Sequence, residues 1–335
     1  MSNSINALYQ RQFVFLKWVT GIVVSFGMFS LMFQYQNQPS FSNFAKRTPE
    51  QTEPRIIAVG DLHGDYSQAV KTLQMAHVID SEKKWSAGDT YFVQTGDIFD
   101  RGDDTISIFS MIGRLMGEAS AVGGNLIQLL GNHEIMNLAE DYRYVTWNDI
   151  DSFGGLQKRK KMFSTKGIVG RSLRRTRIAY ELNGNVFFHA GASPEWATLG
   201  IQGLNNEGIR RMVGKNATEI DDAPIFFADG PVWYRGYGLE DDIEVCGPLY
   251  IALRKLNAKR MVIGHNVQFD GKIKSKCNGR LFIIDTGIAS YYGGHSSALE
   301  IIGDRVFAIY PDRRVELPSA STYIQPSSNP RDPPK

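Results

Sequence analysis

Three glycine-bounded turns carry most of the chemistry-bearing side chains in this sequence: Asp61 and His63 in "GDLHG", Asp97, Asp100 and Arg101 in "GDIFDRG", and Asn132, His133 and Glu134 in "GNHE". Two later turns, "HAG" with His189 and "GHN" with His265, add an imidazole each, so four of the six histidines follow short apolar runs. A single Asp-X-His pair on a tight loop is equally a turn with a surface histidine. The full set is different. Carboxylates, an amide and imidazoles without thiolate form the ligand list of a two-ion site for Mn, Fe, Zn or Co, and these side chains do not choose among the metals. Glycine lets the backbone turn sharply enough to bring such short side chains together.

These turns need rigid elements behind them. "RIIAV" (55–59), "TYFVQT" (90–95) and "NLIQLL" (125–130) are largely apolar runs that predict strands buried on both faces, with helices near 66–77 and 104–120 between them. A second set follows in "IAYEL" and "NVFFHA" (178–190), "RMVIG" (260–264), "LFIID" (281–285), "ALEII" (298–302) and "RVFAIY" (305–310). That many strands predict an α/β fold of two packed mixed β-sheets flanked by helices. Open α/β sheets place ligands beyond the carboxyl ends of their strands, which is where all five turns fall.

In this order, "GDLHG", "GDIFDRG" and "GNHE" resemble the signature of the phosphoprotein phosphatase branch of the calcineurin-like metallophosphoesterases, over about 55–315. "LLGNHEIMNL", "GPVWYRG", "AKRMVIGHNVQ" and "IDTGIASYYGG" are similar to the Shewanella-like phosphatase subgroup, some membrane-anchored fungal relatives of which are endopolyphosphatases. The resemblance implies an α/β/β/α sandwich and two divalent ions. Asp61 and His63 would hold the first ion, Asp97 would bridge both, and Asn132, His189 and His265 would hold the second. The ions would lower the pKa of a water between them and clamp the phosphoryl oxygens, so that hydroxide attacks phosphorus without a phosphoenzyme. His133 would protonate the leaving oxygen with Asp100 orienting it. Arg101 and Arg235, together with the Asn132 amide, would bind phosphate. Glu134 is expected to be structural, and Asp285 in "IDTG" either supports the site or is a plain turn residue. "GPVWYRG" stands where the cytosolic eukaryotic enzymes carry a different segment, so no regulatory subunit is inferred.

Composition bounds the rest. At 335 residues the chain suits one large domain with tails, and 37 Lys and Arg against 35 Asp and Glu give no reason to expect a nucleic-acid partner. Cys246 and Cys277 are too few for a disulfide scaffold, though one bridge in an oxidising compartment stays open. The layout reads as a cytosolic amino terminus (1–12), a transmembrane signal anchor (13–33), a linker (34–54), the catalytic domain (55–317) and a disordered tail (318–335). Arg11 and Lys17 lie before or within the start of the span, which turns the catalytic body to a lumen, with a vacuolar endomembrane as the expected site. The sequon at Asn216 agrees with that side. Residues 158–177 hold nine basic side chains and no acidic one, either a solvated helix face or a landing strip for a polyanion. Inorganic polyphosphate is therefore the expected substrate, with a phosphoprotein (serine/threonine or tyrosine phosphate) as the alternative.

Overall fold

The computed structural model describes residues 53–324. The expected anchor and nearly all of the linker lie outside them, and among the described residues no helix is long and apolar enough to cross a membrane. Eleven strands form: β1 (Ile56–Val59), β2 (Tyr91–Gln94), β3 (Asn125–Gln128), β4 (Ala179–Leu182), β5 (Asn185–Phe188), β6 (Arg260–Ile263), β7 (Lys274–Lys276), β8 (Leu281–Ile283), β9 (Ala298–Ile302), β10 (Arg305–Ile309) and β11 (Arg314–Leu317). They make two mixed sheets, one in the order β11-β10-β9-β1-β2-β3 and the other β4-β5-β6-β8-β7. In the first, β1, β2 and β3 run parallel while β9 joins β1 antiparallel. In the second, β5, β6 and β8 run parallel between antiparallel edge strands.

The sheets face each other across one apolar cluster. Ile56, Ala58, Val93 and Ile127 from the first sheet pack with Tyr180, Phe187, Val262 and Phe282 from the second. Ile57, Val59 and Phe92 point the other way and are buried too, which is why these runs are apolar throughout rather than alternating. Helix Thr105–Ala121 presents Ile108, Ile112, Leu115 and Ala119, a stripe at helical spacing. Helix Tyr66–Met75 is capped by Asp65, whose carboxylate accepts the Gln68 N–H at 3.0 Å. It stops two residues short of the expected 77 because the chain turns at Ala76 and His77 adopts φ 53°.

Short helices fill 132–173 and 200–255, and the edge strands β7 and β11 complete the sheets. Cys246 and Cys277 are joined by a disulfide that ties helix Asp242–Lys255 to the turn after β7. Residues 318–324, expected within a disordered tail, are held to the domain, since Arg280 donates to the Thr322 carbonyl at 2.9 Å and Ile324 is buried; the rest of that expected tail lies outside the described residues. Asn216 has a local structural role. It caps helix Ala217–Asp221 in a reciprocal pair with Glu219.

Candidate metal centre

The loops after β1, β2 and β3 are stitched together through backbone groups. Leu62 and His63 donate to the Asp97 carbonyl at 2.9 and 3.0 Å, and Gly64 donates to that of Ile98 at 2.9 Å. Glu134 does the rest: its buried carboxylate accepts the N–H groups of Gly131, Asp97 and Ile98 at 2.7, 2.8 and 2.9 Å. Burial and the neighbouring Asp97 push Glu134 up to about 7, against the pull of those donors. The turns are tight enough that His63, Asp97, Asp100, Arg101 and His265 all take left-handed backbone, with φ between 41° and 69°. Such conformations cluster where surrounding structure imposes them, commonly at functional sites. A side chain at Gly131 would strike the Asp97 carboxylate, and one at Gly264 would strike that of Asp61.

The side chains these turns carry converge on Asp97. Its Oδ2 lies 3.8 Å from His63 Nε2, 3.9 Å from His133 Nε2 and 3.3 Å from His189 Nε2. Asp61 Oδ2 is 3.8 Å from the same His63 nitrogen. Two three-residue groups suited to a cation share Asp97: His63, Asp97 and His133, and Asp97, His189 and His265. Asp97 therefore stands between two potential ion positions, as a bridging ligand would.

The donor chemistry tests whether cations fit. His63 Nδ1 faces the Phe99 carbonyl at 3.0 Å and His189 Nδ1 faces that of Thr95 at 3.0 Å, so both rings spend their proton there and turn a bare Nε2 lone pair inward. The His189 lone pair then meets the Asn132 carbonyl oxygen at 2.9 Å and His265 Nδ1 at 3.1 Å. Two acceptors facing each other so closely repel unless a positive centre lies among them. The charges agree. Burial would raise Asp97, but positive charge at His189, His133 and His63 would hold it far below the carboxylate range, a charge that cations would supply in place of protons once these rings ligate as neutral groups, while burial and the repulsion of Asp285 and Asp97 force Asp61 well above its ordinary value. Burial and His133 press His63 down to about 4, and burial likewise lowers His265, leaving neutral rings ready to ligate. The residues fit divalent cations.

Beside them, His133 Nδ1 donates to Asp100 Oδ2 at 2.7 Å, so Nε2 opens toward the cleft. Burial lowers the His133 pKa, but Asp97 and Asp100 outweigh it and raise it, as suits an acid. Arg101 lies with its guanidinium 3.8 Å from the Tyr144 ring centre and donates to the Tyr291 hydroxyl at 3.3 Å. Arg235 is exposed, donating to Asn266 Oδ1 at 3.3 Å next to His265. Asp285 is buried, its Oδ1 accepts the Gly287 N–H at 3.0 Å, and after burial its charge is what most raises the Asp61 pKa, which favours support of the site over a plain turn. His77 and His295 are exposed and outside this cluster. Sequence reasoning missed the mouth of the cleft: Tyr144 leans on His133 at 5.2 Å, Tyr292 on His63 at 5.1 Å, and Trp233 stands edge-on to His265 at 5.7 Å. The doublet Tyr291-Tyr292 directly after "GIAS" was the available signal.

The chain belongs to the calcineurin-like phosphoesterase family, whose pattern it matches over residues 54–269. It is a metal-dependent phosphatase. An uncharacterized protein of Schizosaccharomyces pombe is 34% identical over 87% of this chain and 93% of its own length. Shewanella-like protein phosphatase 2 of Arabidopsis thaliana is 28% identical, covering 87% of this chain and 86% of that one. Among solved structures, the cold-active protein tyrosine phosphatase of a psychrophilic Shewanella matches at a TM-score of 0.69 and 26% identity, over 79% of this chain and 80% of that one. A serine/threonine phosphatase from Saccharomyces cerevisiae shares the fold at a TM-score of 0.58 and 12% identity, over 95% of both chains. The expected tie to membrane-anchored fungal endopolyphosphatases does not follow from these matches.

Proposed function

We propose that this phosphatase hydrolyses phosphomonoesters on protein side chains. Asp61 and His63 would hold one ion, Asp97 would be shared by both, and Asn132, His189 and His265 would hold the other. When bound, the ions neutralise phosphoryl oxygens and lower the pKa of a water to near neutrality. Arg101 and Arg235 grip the remaining phosphate oxygens, and His133 passes the proton on its Nε2 to the departing oxygen.

The observation that carries the choice of substrate is the aromatic mouth. Tyr144, Tyr291 and Tyr292 surround Arg101, with Tyr291 62% exposed. A side-chain ester brings carbon surface to stack there, whereas a polyphosphate chain brings none. The support for polyphosphate weakens in the fold. Of the nine basic residues in 158–177, only Lys158, Lys161, Lys166 and Arg175 stand exposed. Arg159 is fully buried, Arg174 bonds inward to the Phe163 and Gly170 carbonyls, and Lys160 pairs with Glu140 at 2.7 Å. Protein substrates also agree with what the Arabidopsis and Shewanella relatives are named for.

The test compares kcat/KM on a phosphotyrosine peptide, a phosphoserine peptide and long-chain polyphosphate. The peptides should be turned over faster, and Tyr144→Ala should raise KM for the phosphotyrosine peptide about 2- to 12-fold, the value of one aromatic contact. Preference for polyphosphate, unaffected by Tyr144→Ala, would reverse the reading. We also propose that the catalytic body lies on the luminal side of an endomembrane behind the apolar stretch 13–33; the Cys246–Cys277 bridge supports an oxidising compartment.

A further inference from the structure

Arg159, on helix Leu156–Phe163, heads the fully buried side chains by size. Its guanidinium lies against the rings of Phe163, Phe153 and Tyr142 at 4.6, 5.2 and 5.3 Å. Taking such a charge out of water costs several kcal/mol even after relaxation, so its polar contacts must offset much. Asp149 supplies one carboxylate, with Oδ2 3.2 Å from both Nε and Nη2. The remaining contacts lead toward the cleft. Nη1 donates to Asn137 Oδ1 at 2.5 Å, and Nη2 is 3.7 Å from Asp100 Oδ1. Asn137 in turn donates its Nδ2 to Asp100 Oδ1 and to the His133 carbonyl, both at 2.8 Å. Asp100 Oδ2 holds His133 Nδ1 at 2.7 Å.

We propose that Arg159 is a positioning residue for His133, acting through Asn137 and Asp100. A guanidinium has only donors, so only the carbonyl end of the Asn137 amide can face it. That leaves the amide nitrogen for Asp100, which as a carboxylate can only accept. Arg159 thereby decides which way the amide points, the amide and the guanidinium fix the rotation of the Asp100 carboxylate, and the carboxylate aims the imidazole. Without Arg159 the amide can turn over and set its oxygen against Asp100, loosening the ring that delivers the proton. Helix Leu156–Phe163 is in this way part of the acid's mounting.

This role rests on the reading of His133 as the acid, and a double-mutant cycle separates the two. Wild type, Arg159→Met, His133→Asn and the double variant are assayed on phenyl phosphate, a poor leaving group, and on 2,4-dinitrophenyl phosphate, a good one, with bound metal and Tm measured for each. Arg159→Met should lower kcat on phenyl phosphate about 10- to 100-fold, the usual reach of an outer hydrogen-bond partner, with KM within about 2-fold and a loss under about 3-fold on the dinitrophenyl ester. In the His133→Asn background it should cost nothing further. If Arg159→Met does not accumulate as folded protein, Arg159→Lys, which keeps the charge but not the fork, carries the same cycle. Equal losses on both esters, or losses that multiply in the double variant, would make Arg159 a structural anchor and overturn the role. A wild type active on both esters whose His133→Asn variant loses nothing on phenyl phosphate would overturn the acid assignment, and the positioning role with it.

Discussion

The two oxygens of Asp97 are used differently: Oδ1 takes the His133 N–H at 2.9 Å, while Oδ2 faces three imidazoles. Removing the charge alone and removing the whole carboxylate should therefore give separable results. Asp97→Asn retains a residue type that tolerates the left-handed backbone at φ 55°, so it should fold normally while losing bound metal and most activity. Asp97→Ala should lose both as well, and in addition lower stability by about 1–2 kcal/mol for an alanine forced into that conformation. Metal analysis and thermal melts of the two variants check this. Two ions and full turnover retained in Asp97→Asn would remove Asp97 from its bridging position. The candidate ligands could be picked out because each sits in a short glycine-marked motif that a turn alone does not require. Arg159 was not, because it is one of four consecutive basic residues at 158–161, and such a run reads as a solvated face. A signal did exist. Arg159 and Phe163 are four apart and both buried, the spacing of one inward stripe on a short helix.

Strands β1 to β3, β5, β6 and β8 to β10 were evident from sequence because near-complete burial demands largely apolar runs, and β4 was evident from its buried Ala179 and Tyr180 and from its place before β5. β7, "KSK", and β11, "RVEL", were not, since edge strands face water and carry charge. The sandwich was visible, whereas the helices between 132 and 173 are too short to show a clear period. β9 contains a buried acidic residue that sequence reasoning passed over. Glu300 accepts from Arg55 Nε at 2.5 Å and from Arg314 Nε at 2.7 Å, tying the start of β1 to β11 across the sheet. Burial would raise the Glu300 pKa, but the bonds from the two arginines outweigh it and hold it below its ordinary value. The stability this contributes is complete above the unfolded carboxyl pKa of about 4.3 and is lost as pH falls through the lower folded value. Glu300→Gln should thus be less stable than wild type by about 1.5–3 kcal/mol at pH 7, the range for hydrogen bonds to charged groups. The gap should narrow as the pH drops below 4.3, measured by urea unfolding across that window. A gap unchanged between pH 7 and pH 3 would mean the contact is steric rather than ionic.

Taken as a whole, the described chain is one sandwich with a disulfide closing 31 residues of sequence around His265, a proposed ligand of the second ion. The luminal placement is tested on intact vesicles. Added protease should spare everything after residue 34 until detergent is present, and the Cys246–Cys277 bridge should be found oxidised in protein trapped with an alkylating agent. Digestion without detergent would put the catalytic body on the cytosolic side.

The pairing of β1 with β9 has a consequence for how the protein is made. Ile56 finds one neighbour in Tyr91 soon after it emerges, but its other neighbour is Ile301, and the Arg55–Glu300 contact beside it spans 245 residues. At translation rates of about 5–20 residues per second, β1 waits on the order of tens of seconds with one edge bare. An open edge invites pairing with another chain. The loop bearing Asp61 and His63 hangs from that strand, so the ribosome must reach nearly the end of the domain before these two proposed ligands rest on a closed sheet. Assembly of the site is therefore a late event in synthesis, although its first motif is among the earliest parts of the domain to be translated.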